Sequence, residues 1–178
     1  MTSSAEAKRG GALRSGERLE LDFHDLLANG QAVGRHAGIV VFCFGPLPGE
    51  RARVQITSVK AKYAVGRLLE LTVPSAERAE PFCPVFGECG GCQIQHWAYA
   101  AQLAWKRRVV SDALERIGGF NGVAVGETIG MPDPRAYRNK MSLVVDRKGG
   151  RTRLGFYRQR SHDVVPIDAC PIVLPQLS

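Results

Sequence analysis

The stretch Pro-Phe-Cys-Pro-Val-Phe-Gly-Glu-Cys-Gly-Gly-Cys, residues 81–92, contains three of the five cysteines of the chain in a C-x5-C-x2-C arrangement. Free cysteines are normally scattered through a sequence as small core residues. Three cysteines this close together, with glycines that let the backbone wrap tightly, indicate thiolate ligands that converge on one centre. Cys170 is followed by proline, as Cys83 is, and is the predicted fourth ligand.

Two kinds of metal centre are compatible with four cysteines. Structural zinc sites usually show two C-x2-C pairs or a mixture of cysteine and histidine, whereas this chain has one such pair. The three-plus-one spacing favours an iron–sulfur cluster, although spacing alone leaves zinc open. His96 is a possible ligand, but a polar residue beside the site is the simpler interpretation because a fourth cysteine is present.

Composition points to a polyanionic partner. The chain has 178 residues, 44% of them hydrophobic, and a formal net charge of +7, which allows one core or two small ones. The charge is concentrated between Arg135 and Arg160, where nine basic residues accompany a single acidic residue, Asp146. Neither a secretory signal nor an apolar run long enough to span a bilayer is visible. We therefore expect a cytoplasmic protein without a membrane partner, in which clustered cysteines bind metal rather than form disulfides.

The first part of the chain predicts a small closed barrel. Residues 1–16 lack apolar periodicity and are expected to form a flexible tail. From residue 17 to residue 74, short alternating segments read as half-buried strands. Five of them follow one another closely, which favours a small closed barrel. Ala52, Val54 and Ile56 are predicted to point inward, and His36-Ala37-Gly38 is predicted to form a hairpin turn.

The second part, residues 75–178, predicts an α+β domain. A helix of roughly twenty residues follows His96 and ends at Gly118-Gly119. One face of the predicted helix is marked by five residues, Tyr99, Leu103, Val110, Leu114 and Ile117. Four strands then form an antiparallel sheet against the helix; they are predicted over 123–129, 141–145, 153–157 and 164–167. The predicted fold is therefore α+β/all-β, a barrel followed by an antiparallel-sheet domain that carries the four-cysteine site.

Three segments of the barrel resemble a TRAM domain. They read Asn-Gly-Gln-Ala-Val-Gly-Arg-His-Ala-Gly from residue 29, Pro-Leu-Pro-Gly-Glu-Arg-Ala-Arg-Val from residue 46 and Val-Lys-Ala-Lys-Tyr-Ala-Val-Gly-Arg from residue 59. The resemblance implies an OB-like barrel that binds RNA. Lys60, Lys62, Tyr63 and Arg67 combine cations with a stacking ring and are the candidate contacts. The alternative is a solvated basic strand with Tyr63 filling the barrel. Cys43 lies in an apolar strand and is predicted to be a core residue.

The whole pattern resembles the bacterial RNA (uracil-5-)-methyltransferase family, and is most similar to its 23S ribosomal RNA branch. The resemblance includes C-x5-C-Gly-Gly-C-Gln, Tyr-Arg-Asn-Lys from residue 137, Leu-Gly-Phe-Tyr from residue 154 and Ile-Asp-Ala-Cys-Pro-Ile-Val from residue 167. It implies that a [4Fe-4S] cluster is held by Cys83, Cys89, Cys92 and Cys170. It also implies 23S rRNA as the partner of a monomer that does not bind DNA. The candidate RNA contacts of the sheet domain are Arg135, Tyr137, Arg138, Asn139 and Lys140, which pair cations with an aromatic ring and an amide.

The resemblance also implies a catalytic half that this sequence does not contain. Methylation of uracil at carbon 5 needs a thiolate, a base and a pocket for S-adenosylmethionine, which the family places in a C-terminal Rossmann-like domain. No strand followed by G-x-G and a helix occurs here. We therefore assign no catalytic residue and expect the RNA-recognition part of a methyltransferase that is inactive alone. A stand-alone RNA-binding iron–sulfur adaptor or sensor is the first alternative, and an electron carrier is the second.

Overall fold

A computed structural model of the chain describes residues 13–178, apart from the side chain of Lys148. The chain forms two compact units, with the division between Ala76 and Glu77. Most of the predicted tail lies outside the described residues. The part that is described corrects its boundary: Leu13 is buried, and the N–H of Gly16 donates to the carbonyl of Ile56 at 2.7 Å. Residues 13–16 therefore pack on the barrel, because a leucine gains free energy by leaving water.

The first unit is a closed five-stranded barrel. Its strands follow the order β1-β2-β3-β5-β4, and β4 pairs with β1 to close the sheet. Strands β3 and β5 pair in parallel and all other neighbours are antiparallel. The strands are β1 (Arg18–Leu26), β2 (Gln31–His36), β3 (Ile39–Phe44), β4 (Arg51–Val59) and β5 (Tyr63–Val73).

Alternation along the strands places the barrel core as predicted. Ala52, Val54 and Ile56 are at most 1% exposed, and Cys43 is fully buried. Their neighbours in sequence point to solvent because successive side chains of a strand face opposite sides. The predicted hairpin is present between β2 and β3, and both Ala37 and Gly38 have positive φ. This is the backbone combination that two-residue hairpins favour.

The buried carboxylate of Glu50, which the sequence analysis did not identify, stabilises one end of the barrel. Glu50 is 1% exposed. Its side chain accepts the N–H of Leu47 at 2.7 Å and the N–H of Ser75 at 3.1 Å, and its own backbone carbonyl accepts the N–H of Phe23 at 2.8 Å. A buried carboxylate is tolerated where it satisfies backbone donors. Glu50 therefore connects the β3–β4 turn to the segment that follows β5.

In its described residues the second unit contains one α-helix, one small sheet and a short 3₁₀ helix over Pro175–Leu177. Helix α1 (Tyr99–Asp112) continues into a single π-helical turn over Ala113–Ile117. The antiparallel sheet has the order β6 (Val144–Lys148), β7 (Arg151–Tyr157), β8 (Val164–Pro166). The hairpin between β6 and β7 turns at Gly149-Gly150, both of which have positive φ.

Two predictions for this unit are wrong. Residues 123–129 form no strand: Val123 and Ile129 are exposed, so no cross-strand packing stabilises an extended pair there. The predicted helix face is also wrong at its end, since Val110 is 50% and Ile117 88% exposed, whereas Ala101 is buried.

Neither a Rossmann-like arrangement of parallel strands and helices nor a helix long and apolar enough to cross a bilayer occurs within residues 13–178.

Candidate metal centre and nucleic-acid surfaces

The four predicted ligands meet at one cavity in the second unit. Cys83, Cys89, Cys92 and Cys170 all line a space of about 550 Å³, and each is half-buried and free of disulfides. The cavity wall also includes apolar groups such as Phe86, Met141, Phe156 and Ile172. The structure thus brings together three thiols from a single loop and one thiol from a distant segment.

Backbone hydrogen bonds hold the three-cysteine loop at the end of β7. The N–H of Gly90 donates to the carbonyl of Tyr157 at 2.9 Å, and the N–H of Gln159 donates to the carbonyl of Glu88 at 3.3 Å. The Arg158 guanidinium also pairs with the Glu88 carboxylate at 2.9 Å. A Cβ at Gly90 would lie 2.9 Å from the Tyr157 carbonyl oxygen. The glycine is therefore required by the close approach of two backbones.

A second set of backbone bonds positions the Cys170 segment. The N–H of Ala136 donates to the carbonyl of Pro171, and the N–H of Arg138 donates to that of Ile172, both at 2.9 Å. The N–H of Leu174 returns a bond of 2.9 Å to the carbonyl of Arg138. Residues 136–138 and 171–174 therefore run side by side, which places the predicted RNA contacts next to the fourth cysteine.

The thiols affect one another electrostatically. Burial is the main cause that raises the pKa values of Cys89 and Cys92, and the neighbouring cysteines add to it. Two hydrogen bonds oppose the increase, one from the N–H of Gly91 to Cys89 Sγ at 3.4 Å and one from the Gln95 side chain to Cys92. Gly91 and Gln95 therefore donate hydrogen bonds to the cysteine sulfurs. Such hydrogen bonds orient and tune the ligands of a metal centre.

The thiols are not arranged as a site for one ion. Among the described residues, no group of three or more His, Cys, Asp and Glu side chains is placed to hold a single metal ion. A tetrahedral zinc site needs all four sulfurs within about 2.3 Å of one point. His96 is buried and its ring lies 5.1 Å from that of Phe86, which fits its interpretation as a residue beside the site.

The predicted RNA contacts of the second unit line the same cavity, with one exception. Tyr137, Arg138, Asn139 and Lys140 all face it and are exposed to solvent, and the Arg138 guanidinium lies 5.9 Å from the centre of the Tyr137 ring. Arg135 instead forms an ion pair with Asp133 at 2.9 Å. The hydrogen bond from Arg135 lowers the pKa of the Asp133 carboxyl, so the positive charge of Arg135 is largely compensated.

The predicted contacts of the barrel lie on its outer surface. Lys60, Lys62, Tyr63 and Arg67 are exposed. The Tyr63 ring packs against Phe42 at 5.6 Å between ring centres rather than filling the barrel. The sequence analysis missed Phe42, although the alternation of β3 around the buried Val41 and Cys43 already directs it outward. Arg67 donates to Gln55 Oε1 at 2.8 Å.

Comparison with known proteins supports the resemblance to a TRAM domain and the resemblance to RNA methyltransferases. The model of the TRAM domain matches residues 13–69. An uncharacterized RNA methyltransferase of Halalkalibacterium halodurans is 40% identical over 166 residues, which cover 93% of this chain and 36% of that protein. An uncharacterized RNA methyltransferase of Clostridium tetani is 43% identical over 79% of this chain and 30% of its own length.

A solved structure agrees with these matches. The tRNA (uracil-54, C5)-methyltransferase of Pyrococcus abyssi, crystallised with S-adenosyl-L-homocysteine, is similar with a TM-score of 0.57 and 25% identity, over 88% of this chain and 33% of that one. The chain spans about a third of the length of the relatives that it matches. The coarser part of the predicted resemblance is therefore confirmed: residues 13–69 match the TRAM domain, and the chain is similar to RNA methyltransferases over most of its length.

Proposed function

We propose that this chain is the RNA-recognition and [4Fe-4S]-binding portion of an S-adenosylmethionine-dependent methyltransferase that acts on carbon 5 of uracil in 23S rRNA, and that it transfers no methyl group alone. The observation that carries the proposal is the convergence of four thiols, cations and an aromatic ring on one cavity. The names of the relatives supply the reaction class: two are RNA methyltransferases and the third acts on uracil in tRNA.

The donor set is compatible with a cluster. An iron–sulfur cubane takes four thiolates at its corners and fills a volume between them. Cys83, Cys89, Cys92 and Cys170 line one cavity. When bound, such a group supplies a rigid connection among its ligands and a redox-active iron centre. The apolar groups around the sulfurs limit the access of water, a factor on which cluster stability and potential depend.

Two surfaces support RNA as the partner. Tyr137, Arg138 and Lys140 line the cavity of the second unit and remain exposed. The barrel presents the Phe42–Tyr63 pair beside Lys60 and Lys62. Exposed rings and cations together are what single-stranded nucleic-acid sites use, because rings stack on bases and cations neutralise phosphates.

The metal assignment is tested by elemental analysis of protein purified without oxygen. We expect about four irons and four sulfides per chain, with broad absorbance at the blue end of the visible spectrum. Cys170→Ser should lose iron, whereas Cys43→Ser, which changes a cysteine of the barrel core, should retain it. Stoichiometric zinc without iron in the wild type would contradict the cluster.

The RNA assignment is tested by binding single-stranded RNA at increasing salt. Affinity should fall with a slope of about −0.7 for each phosphate neutralised. Lys140→Gln should weaken binding and reduce the slope, whereas Arg135→Gln should have a smaller effect because Asp133 already pairs with Arg135. Arg53→Gln, at an exposed ion pair with Glu70, is the control. Binding that does not depend on salt would contradict RNA binding through the basic surface.

Methyl transfer from labelled S-adenosylmethionine by this chain would contradict the proposal that it is inactive alone.

A further inference from the structure

A second cavity of about 340 Å³ lies beside the cysteine cavity in the same unit. The two cavities share a wall that includes Cys92, Gln95, Tyr137 and Arg138. The remaining walls come from α1, from Phe82 and from the segment around Met131. The volume lies at the lower end of the range for ligand pockets, about 300–1,000 Å³. It therefore suits a single small ligand of the size of a nucleoside.

Glutamine side chains line this cavity, and the nitrogen ends of two of them already donate hydrogen bonds to the backbone. The Nε2 group of Gln93 donates to the carbonyl of Gly90 at 3.0 Å. The Nε2 group of Gln102 donates to the carbonyls of Ile94 and Trp97 at 3.1 and 2.8 Å. Because a carbonyl oxygen can only accept, these neighbours fix which end of each amide is nitrogen. The oxygen ends of Gln93 and Gln102 are not used in these bonds and can accept hydrogen bonds from a ligand.

Gln95 also lines the cavity and has an unmet acceptor. The Oε1 atom of Gln95 is buried and accepts no hydrogen bond from any residue in the described part of the chain. Buried polar atoms nearly always have a partner, so this oxygen would gain a hydrogen bond if the Gln95 side chain turned it toward an N–H donor in the cavity.

Rings and cations complete the cavity. Phe82 and Tyr137 are 39% and 48% exposed and offer faces on which a planar group stacks. The hydroxyl of Tyr99 accepts the N–H of Met131 at 3.0 Å, which fixes the position of that ring. Lys106 on α1 and Arg138 supply positive charge. The ligand should therefore be planar, offer N–H donors along one edge and carry negative charge.

We propose that this cavity binds one unpaired nucleotide of the RNA, with its base against the aromatic rings, its donor edge on the glutamine oxygens and its phosphate near Lys106. Single-stranded RNA is recognised in this way, by stacking and by hydrogen bonds to exposed base edges. Guanine fits best because its N1–H and its N2 amino group are adjacent donors. This proposal rests on the proposed function, since it names a subsite within the RNA-binding surface.

The test uses short, fluorescently labelled RNAs in which every residue is abasic except one central position. Fluorescence anisotropy compares a central guanosine, a central 1-methylguanosine and a wholly abasic strand on the complete chain. Guanosine should improve affinity about tenfold over the abasic strand, and 1-methylguanosine, which lacks the N1–H donor, should lose most of that gain. Equal affinity for the three strands would overturn the nucleotide pocket.

Matched variants distinguish binding of a base in the pocket from non-specific electrostatic attraction of RNA. Phe82→Ala should abolish the preference for guanosine over the abasic strand. Lys106→Gln should weaken binding more than Arg116→Gln, which removes a cation from the turn after α1 that does not line the cavity. An equal loss in both charge variants would count against the phosphate contact. If the wild type binds none of the strands and no natural RNA, the proposed function fails; if it binds RNA without preference for the central base, only the pocket fails.

Discussion

At the scale of single residues, Cys43 differs from the other four cysteines in burial. Its side chain is fully buried in the barrel, and burial raises the pKa of its thiol to about 12. The four cysteines of the second unit are half-buried and line a cavity. Since only the thiolate is nucleophilic, the two groups should differ in reactivity as well as in role.

We predict that iodoacetamide modifies the four cavity cysteines of the metal-free protein much faster than Cys43 at mildly alkaline pH. A pKa of about 12 leaves the Cys43 thiol almost entirely protonated under these conditions. Peptide mass spectrometry over a time course measures the rates. All five cysteines should react alike once guanidinium chloride unfolds the protein, which is the control; rapid modification of native Cys43 would contradict its burial.

The residues that the sequence predicted best are those with a single role. Cys43 and the core positions of β4 follow from apolar alternation, and the four cavity thiols follow from spacing. Glu50 was missed because a buried carboxylate looks like any charged residue until its backbone donors are known. Arg135 was given the same role as Lys140 because the sequence does not show that Asp133 folds back onto it.

At the scale of elements, β1 to β5 were predictable because each strand has its own alternating pattern and its own turn. The position of helix α1 was predicted correctly, but the exposure of its C-terminal end was not. The face of a helix that becomes buried depends on elements distant in sequence. The false strand over residues 123–129 has the same origin: β-branched composition favours a strand, but a strand also needs a partner. Local patterns predict elements, whereas pairing requires the tertiary structure.

The contact between the cysteine loop and β7 gives a prediction at this scale. Gly90→Ala should destabilise the second unit by about 1–3 kcal/mol, because the added Cβ would lie 2.9 Å from the Tyr157 carbonyl oxygen and the two backbones would have to separate. Urea denaturation followed by the fluorescence of Trp97 and Trp105 measures the change.

Gly126→Ala is the matched control for this variant. A Cβ at Gly126 meets no atom within 4 Å, and its φ is not positive. Iron content should also fall in Gly90→Ala and not in Gly126→Ala, since the loop carries three of the proposed ligands. Equal stability of the two variants would show that the approach of the loop to β7 is not tight.

At the scale of the whole molecule, each unit contains its own core and its own candidate RNA surface. The barrel core is nearly complete, with many residues at 0–1% exposure. The second unit is different, since Val145 and Leu154 are cross-strand neighbours on β6 and β7 and are 68% and 48% exposed. Its apolar burial is therefore modest, and small domains with modest cores commonly depend on a metal centre for stability.

We predict that Cys170→Ser unfolds the second unit while the barrel stays folded. Loss of one ligand would release the others, because metal binding and folding are coupled in small metal-dependent domains. Hydrogen exchange measured by mass spectrometry should show loss of protection in β6 to β8 and unchanged protection in β4. Native-like protection of β7 in iron-depleted Cys170→Ser would show that the site is not a structural connection.

The order of the four cysteines along the chain has a consequence for biosynthesis. Three thiols leave the ribosome together, whereas Cys170 and the backbone bonds that position it follow only after the whole sheet has been made. Domains generally fold as units during synthesis, so the nascent chain holds an incomplete set of ligands while the residues between Cys92 and Cys170 are made. Completion of the proposed cluster would therefore report that the sheet has been translated and correctly paired, and a stalled or misfolded chain would remain open to metal exchange and degradation.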